Sequence, residues 1–200
     1  GQWIQNLVQR FDAPITTRVQ AICEQPSIDR SATQNQIGFT LPEQAKMVGD
    51  FLQAHGLAPQ FASLVVMMGH YSSNQNNPHQ AAYGCGACSG RYSGPNGRIF
   101  ATMANNAEVR HLLAQQGIMI PDDCWFIGAE HDTCNEDIYW FDTDLIPASF
   151  QAAFVALQTD LQHASQHSAH ERCRKLMSAP RTPTPFQAWQ HMLGRSMDYS

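Results

Sequence analysis

Charge is scarce in this sequence. Charged residues make up 14% of its 200 positions and apolar residues 43%. Disordered chains show the opposite balance, so a folded core is expected. A chain of this length buries roughly 70% of its unfolded surface. Positive charge is scarcer still. The net charge is −5, so nothing suggests a nucleic-acid partner. Arg172, Arg174 and Lys175 form the one small basic cluster, expected to be a solvated helix end. Long apolar runs are missing too. The longest, 64–68, falls far short of the roughly 20 residues that span a bilayer. No secretory-signal pattern is visible, and the chain opens on Gly1 rather than methionine. The six cysteines are too widely spread for a small disulfide scaffold, and a close pair in a chain this long points to metal or redox chemistry.

What is present has the rhythm of an α/β fold. Trp3, Ile4, Leu7, Val8 and Phe11 form one helical stripe in a polar, Gln-rich stretch over 1–39. Thr40 and Glu43 have capping-box spacing, with Pro42 in the first turn. Met47, Val48, Phe51, Leu52 and His55 then recur on one face, and Gly56 is a helix stop. The run 61–68 reads as a strand buried on both faces, ending in Gly69-His70. Residues 71–98 are rich in Gly, Ser, Asn and Pro, and a long loop of that kind is usually functional. Residues 99–103 and 108–116 read as helices broken near Asn105-Asn106, with Asn105 as the cap of the second. A second buried strand is expected over 124–129 and a third over 137–141. Phe150, Phe154, Leu157 and Leu161 mark a long last helix. The expected fold is α/β, three-layered, with a mainly parallel sheet flanked by helices. Three parts are expected: 1–39 as N-terminal helix and loop, 40–177 as the α/β domain, and 178–200 as a Pro-rich linker with a short C-terminal segment.

Chemistry concentrates after the first strand. His70 sits at its carboxyl end, where ligands gather in open α/β sheets. Cys85 and Cys88 follow in the Gly-rich loop. Imidazole and thiolate together suit zinc. A lone Cys-x-x-Cys is ambiguous between zinc, redox chemistry and chance. The redox version expects a helix starting at the cysteines directly after a strand, but here the strand ends fifteen residues earlier (85 − 70 = 15). Metal is favoured over redox on that context. His79 is a further candidate donor, although a solvated loop histidine is its ordinary reading. Cys23 and Cys173 look structural or exposed, and Cys124 a small apolar core residue. Glu130, His131 and Asp132 end the second strand and should reach the same sheet edge as His70. Their carboxylates could orient a metal ligand, or they are simply a polar strand end.

These residues form long, unusual motifs: Gly69-His70-Tyr71-Ser72, Asn76-Asn77-Pro78-His79, Cys85-Gly86-Ala87-Cys88-Ser89-Gly90 and Gly94-Pro95-Asn96. With Ile120-Pro121-Asp122-Asp123, Glu130-His131-Asp132-Thr133 and Phe141-Asp142-Thr143-Asp144, the chain resembles the DabA family of bacterial inorganic carbon uptake subunits. The resemblance covers most of 39–145. Arg195-Ser196-Met197-Asp198-Tyr199-Ser200 is similar to the start of a later family motif, cut off.

The resemblance implies a Zn2+ centre like that of β-carbonic anhydrases, converting CO2 to bicarbonate in an energy-coupled, one-way manner. Its donors are a Cys and an Asp from an early Cys-x-Asp-x-Arg strand, plus a later His and Cys that fall on His70 and Cys85. Cys88 belongs to the signature without being the expected donor. The implied partners are the remainder of the parent DabA-type chain and an integral membrane, proton-channel-like DabB-type subunit. The implied location is peripheral, on the cytoplasmic face of the bacterial inner membrane. This sequence departs from the pattern at Tyr71 and Ser89, where glycines are usual, and Tyr71 is expected to narrow the space beside the metal. Cys134-Asn135-Glu136 stands in a region typically rich in threonine. No Cys-x-Asp-x-Arg occurs. The chain is therefore expected to be an excised segment or a partial copy, carrying half a metal site and inactive alone. The rival readings are a non-catalytic zinc-binding module and an interaction module.

Overall fold

A computed structural model describes residues 19, 38–58, 60–72 and 91–196. The first helix, α1 (Leu41–Ala54), starts where the capping box predicts. The Thr40 hydroxyl accepts from the Glu43 amide, and the Glu43 carboxylate accepts from the Thr40 amide at 2.8 Å. Ala45, Val48 and Leu52 are buried. Met47 is 43% exposed, so the inward face is rotated from the stripe expected. Gly56 takes φ +65° just after the helix, a conformation glycine adopts without a steric penalty.

Strand β1 (Leu64–Tyr71) runs parallel to β2 (Trp125–Asp132) over eight paired positions, from Leu64 opposite Trp125 to Tyr71 opposite Asp132. The crossover between them carries α2 (Gly94–Asn105) and α3 (Ala107–Gln115). The third strand, β3 (Ile138–Trp140), pairs antiparallel with β2 at three positions. The sheet order is β1-β2-β3. The fold is thus α/β with a mixed sheet rather than a mainly parallel one. The reason is the connection: 133–137 is a tight turn, and a parallel neighbour needs a crossover of a dozen or more residues.

Strand alternation sends successive side chains to opposite faces. Val65 and Met67, with Phe126, pack in the main core against α1, α2 and α3, beside Leu52, Phe100, Met103, Val109 and Leu113. On the other face a smaller cluster joins Ile127, Ile146 and Phe154, with Leu64, Trp125, Trp140 and Phe150 packed on it. β1 is not buried on both faces as expected. It lies at the edge of the sheet, and Met68 is 40% exposed.

Asn106, not Asn105, caps α3, accepting from the Glu108 amide at 2.9 Å. Asn105 is committed elsewhere. Its side-chain amide donates to Phe126 O and accepts from Phe126 N, standing in for a neighbouring strand where β3 is too short to reach. Beyond β3, α4 (Gln151–Cys173) and α5 (Pro185–Ser196) form a hairpin with its own cluster of Ala169, Cys173, Ala188 and Met192. The 178–185 stretch leads directly into α5, with Pro185 as its first residue. Among the described residues no helix is long and apolar enough to cross a membrane.

Candidate functional site at the carboxyl edge of the sheet

The parallel register sets Gly69 beside Glu130, His70 beside His131 and Tyr71 beside Asp132. All three residues of the Glu130-His131-Asp132 trio therefore reach the His70 edge. Alternation then divides them. His70 and His131 share one face. Glu130 and Asp132 lie on the other, with the helices.

His70 is exposed, and both its main-chain N–H and its carbonyl are held by Ser93. Its N–H donates to Ser93 Oγ at 2.5 Å, and its carbonyl accepts from Ser93 N at 3.2 Å and from Ser93 Oγ at 2.8 Å. The chain leaves the described structure after Ser72 and re-enters at Arg91, so the segment holding the cysteines begins and ends beside His70. Cys85, Cys88 and His79 lie outside the described residues, as do Cys23 and the 1–11 stripe.

The helix face of this edge is filled. The Glu130 carboxylate accepts the Gly94 N–H at 2.6 Å, at the positive end of α2. A Cβ on Gly94 would collide with that carboxylate, so the approach requires glycine. Burial pushes the Glu130 carboxyl above its usual range, against the lowering effect of the Gly94 hydrogen bond. Asp132 is fully buried and accepts from Cys134 N at 2.9 Å. Tyr71 is buried between Tyr92 and Tyr139, with ring centroids 4.5 and 5.9 Å away. Burial, then the Tyr139 hydroxyl and the Asp132 charge, drive its phenol far above the ordinary tyrosine value. Tyr71 is therefore a neutral donor on the face opposite His70. The Tyr71 and His70 side chains lie on opposite faces because each step along a strand reverses the side chain.

On the His70 face, His131 Nε2 lies 2.9 Å from Glu136 Oε2. The other Glu136 oxygen accepts from Arg172 and, at 3.3 Å, from Ser168. Burial alone would raise the Glu136 carboxyl, but the hydrogen bonds and charges of His131 and Arg172 outweigh it and hold it below the usual range. Arg172 is thus not a solvated helix end. It fastens the end of α4 to the sheet edge. Sequence reasoning misses this link, since the partners are 36 residues apart and no local spacing connects them.

In the sequence Cys134 stands out only as part of a departure from the threonine-rich family pattern. In the fold its sulfur lies 3.0 Å from Ser72 Oγ, at the same edge. The signal for it is the Asx turn Asp132-Thr133-Cys134 that closes the strand. Cys124 and Cys173 are buried. Arg98 pairs with Asp142 of the Phe141-Asp142-Thr143-Asp144 motif through two hydrogen bonds of 2.6 Å, between α2 and the turn after β3. A cleft of about 470 Å³ opens along the amino half of β2, beside Arg98, Thr102, Asn105, Trp125, Phe141 and Leu145. Neither His70 nor the residues around it line that cleft.

Among the described residues no three His, Cys, Asp or Glu side chains converge as a metal site would require. Among the described residues the donor chemistry at this edge is the exposed His70 imidazole, with His131 beside it on the same face and engaged by Glu136. An exposed imidazole of this kind fits a share of a zinc site.

A mixed α/β domain with a histidine fixed at the carboxyl edge of a parallel strand pair is the class that the geometry defines. Similarity to known proteins places it further. Residues 3–200 match the family described as "Probable inorganic carbon transporter subunit DabA", and the chain belongs to that family. It is 46% identical over all 200 residues to a protein of that description from Dechloromonas aromatica, covering 20% of that relative. It is 47% identical over 187 residues, 94% of this chain and 17% of the relative, to one from Nitrosococcus oceani. One from Methylococcus capsulatus is 52% identical over 167 residues, 84% of this chain and 16% of the relative. The chain spans about a fifth of the length of these relatives or less. No solved structure matches it.

Proposed function

We propose that this chain is a segment of a longer inorganic carbon transporter subunit, and that its His70 edge supplies half of a zinc centre. The observation that carries the reading is His70 itself. Its main-chain N–H and carbonyl are both fixed by Ser93, and the residue is exposed at the position where α/β sheets collect ligands. A donor shared with groups from elsewhere must be rigid and accessible, and His70 is both. Cys85 is the second donor from this segment. The remaining Cys and Asp belong to a Cys-x-Asp-x-Arg strand in the rest of the polypeptide. Cys88 and His79 are reserve donors.

Zinc, when bound, supplies the acidity that makes a water nucleophile available near neutral pH, here to turn carbon dioxide into bicarbonate. The residues of this chain hold the surroundings. Ser93 fixes the height of His70, and the Ser93–His70 contact also ties down the end of the cysteine-bearing segment. Glu130 anchors the start of α2 behind the strand. Tyr71, Asp132 and Tyr139 fill the opposite face with a network in which the phenol stays neutral. Glu130 and Asp132 reach the metal's surroundings through the backbone of their strand and not by direct contact with His70. A DabB-type integral membrane subunit couples the reaction to an ion gradient, with this subunit peripheral on the cytoplasmic face.

Zinc content and CO2 hydration, measured on the full-length protein, test the reading. His70→Ala and Cys85→Ser are expected to lose both, and Cys88→Ser and His79→Ala to retain both. Full zinc and an unchanged rate in His70→Ala would overturn the assignment.

A further inference from the structure

We infer that the outer edge of β1 is a strand-pairing surface, filled by a strand from the remainder of the polypeptide. The inference rests on the reading of this chain as a segment of a longer one.

Two hydrogen bonds fix the phase of the β1–β2 ladder: Trp125 N donates to Ser63 O, and Thr133 N to Tyr71 O. In a parallel ladder of that phase, residues 65, 67, 69 and 71 exchange their main-chain bonds with β2. Leu64, Val66, Met68 and His70 direct theirs to the opposite edge. At His70 both groups are met by Ser93. At Leu64, Val66 and Met68 no partner is present among the described residues, and β1 ends the sheet.

Exposed edges in folded proteins are normally protected by lysine, proline, bulges or a covering element. The strand LVVMMGHY has no lysine or proline, and it pairs with β2 in unbroken register. The side chains on the adjoining face are apolar, and Met68 stands 40% exposed. Parallel strands are ordinarily covered on both sides. The open run is therefore 64–68, bounded at its carboxyl end by Ser93. Relatives carry about five times the length of this chain or more, so most of the polypeptide is available to cover it.

Residue-resolved amide hydrogen exchange, on this chain alone and on the full-length polypeptide, tests the inference. In the isolated chain Val66 and Met68 should exchange fast while Val65 and Met67 are protected. In the full-length protein Val66 and Met68 should slow by at least ~100-fold, as paired sheet amides do. Unchanged exchange there would overturn the proposal. So would protection already present in the isolated chain at every concentration, which would assign the edge to residues of this segment. Protection that grows with concentration and is lost in Met68→Lys would assign it to a second copy, and would overturn it equally. Val66→Pro removes an outward N–H and leaves the β1–β2 ladder whole. It should leave the isolated chain folded and make the full-length protein readily proteolysed. Met68→Lys serves the same comparison if Val66→Pro does not fold. Exchange reads strand pairing whether or not zinc is bound, so loss of the zinc reading alone would leave this result intact.

Discussion

The two faces of the β1–β2 pair are built from the same strands and end in opposite conditions. On the helix face, Val65, Met67 and Gly69 lie with Phe126, Gly128 and Glu130 against α2 so closely that a Cβ on Gly69 would collide with the Gly94 main chain. Every polar group named there serves structure: Glu130 holds α2, and Asp132 holds the turn after β2. The opposite face is closed at its amino half, where Trp140 meets Phe154 edge-on with centroids 5.0 Å apart. At its carboxyl half Met68 and His70 stand exposed. A finished face shows where the fold gets its stability. The open one, on a chain spanning about a fifth of its relatives or less, is the face to which the proposed zinc donors and the proposed pairing strand are assigned.

The contrast predicts the sizes of substitution effects. Leu52→Ala, in the core behind the helix face, should cost about 2–5 kcal/mol in urea unfolding of the isolated chain, while Met68→Ala should cost less than ~1 kcal/mol. Equal costs would erase the distinction between the faces. Gly69→Ala should cost about 1–3 kcal/mol, because the strand and α2 must part to admit a methyl group; a neutral result would mean that the two elements pack more loosely there.

Two glutamates make the contrast titratable. Glu136 has its carboxyl lowered by His131 and Arg172. Its contribution is present above the unfolded carboxylate value of about 4.3 and lost as pH falls through the lower folded value. Glu136→Gln should cost about 1 kcal/mol at neutral pH, discounted because Arg172 is partly exposed, and should flatten the acid limb of the stability curve. Glu130 has the opposite sign. Burial raises its carboxyl, so its own contribution to stability is fully present below the ordinary carboxylate value and is lost as pH rises through the raised one. Glu130→Gln should remove that decline. An unchanged pH profile in either variant would contradict the corresponding assignment. Away from both faces, a methyl group on Gly194 in α5 would meet nothing within 4 Å, and Gly194→Ala should gain up to ~1 kcal/mol from helix propensity, read as a small rise in Tm.

Much of this is legible in the residues. The Thr40 capping box, the two apolar runs that become β1 and β2, and the arrival of Glu130-His131-Asp132 beside His70 follow from local spacing and strand-length periodicity. What is not legible is set by long-range geometry. The mixed sheet depends on the shortness of the turn at 133–137. The edge position of β1 among the described strands is not legible either, since an apolar run reads the same whether both sides are covered or one is. The division of the trio between two faces needs the strand to continue to Asp132, beyond the apolar run that announces it. The Arg172–Glu136–His131 chain and the Arg98–Asp142 pair join residues that no window spans. Cys85 lies outside the described residues, and with it the expected approach of Cys85 to His70.

In the proposed function this chain carries half of a zinc centre. Stopped-flow CO2 hydration of the purified 200-residue chain with added zinc, set against the uncatalysed rate, tests it most directly. No acceleration is expected, because two of the four inferred donors are elsewhere: His70 and Cys85 alone would hold zinc weakly, and borrowing both Cys88 and His79 would close the tetrahedral site and leave no position for water. Clear catalysis that disappears in Cys85→Ser would show the centre to be complete within these residues and would contradict the account.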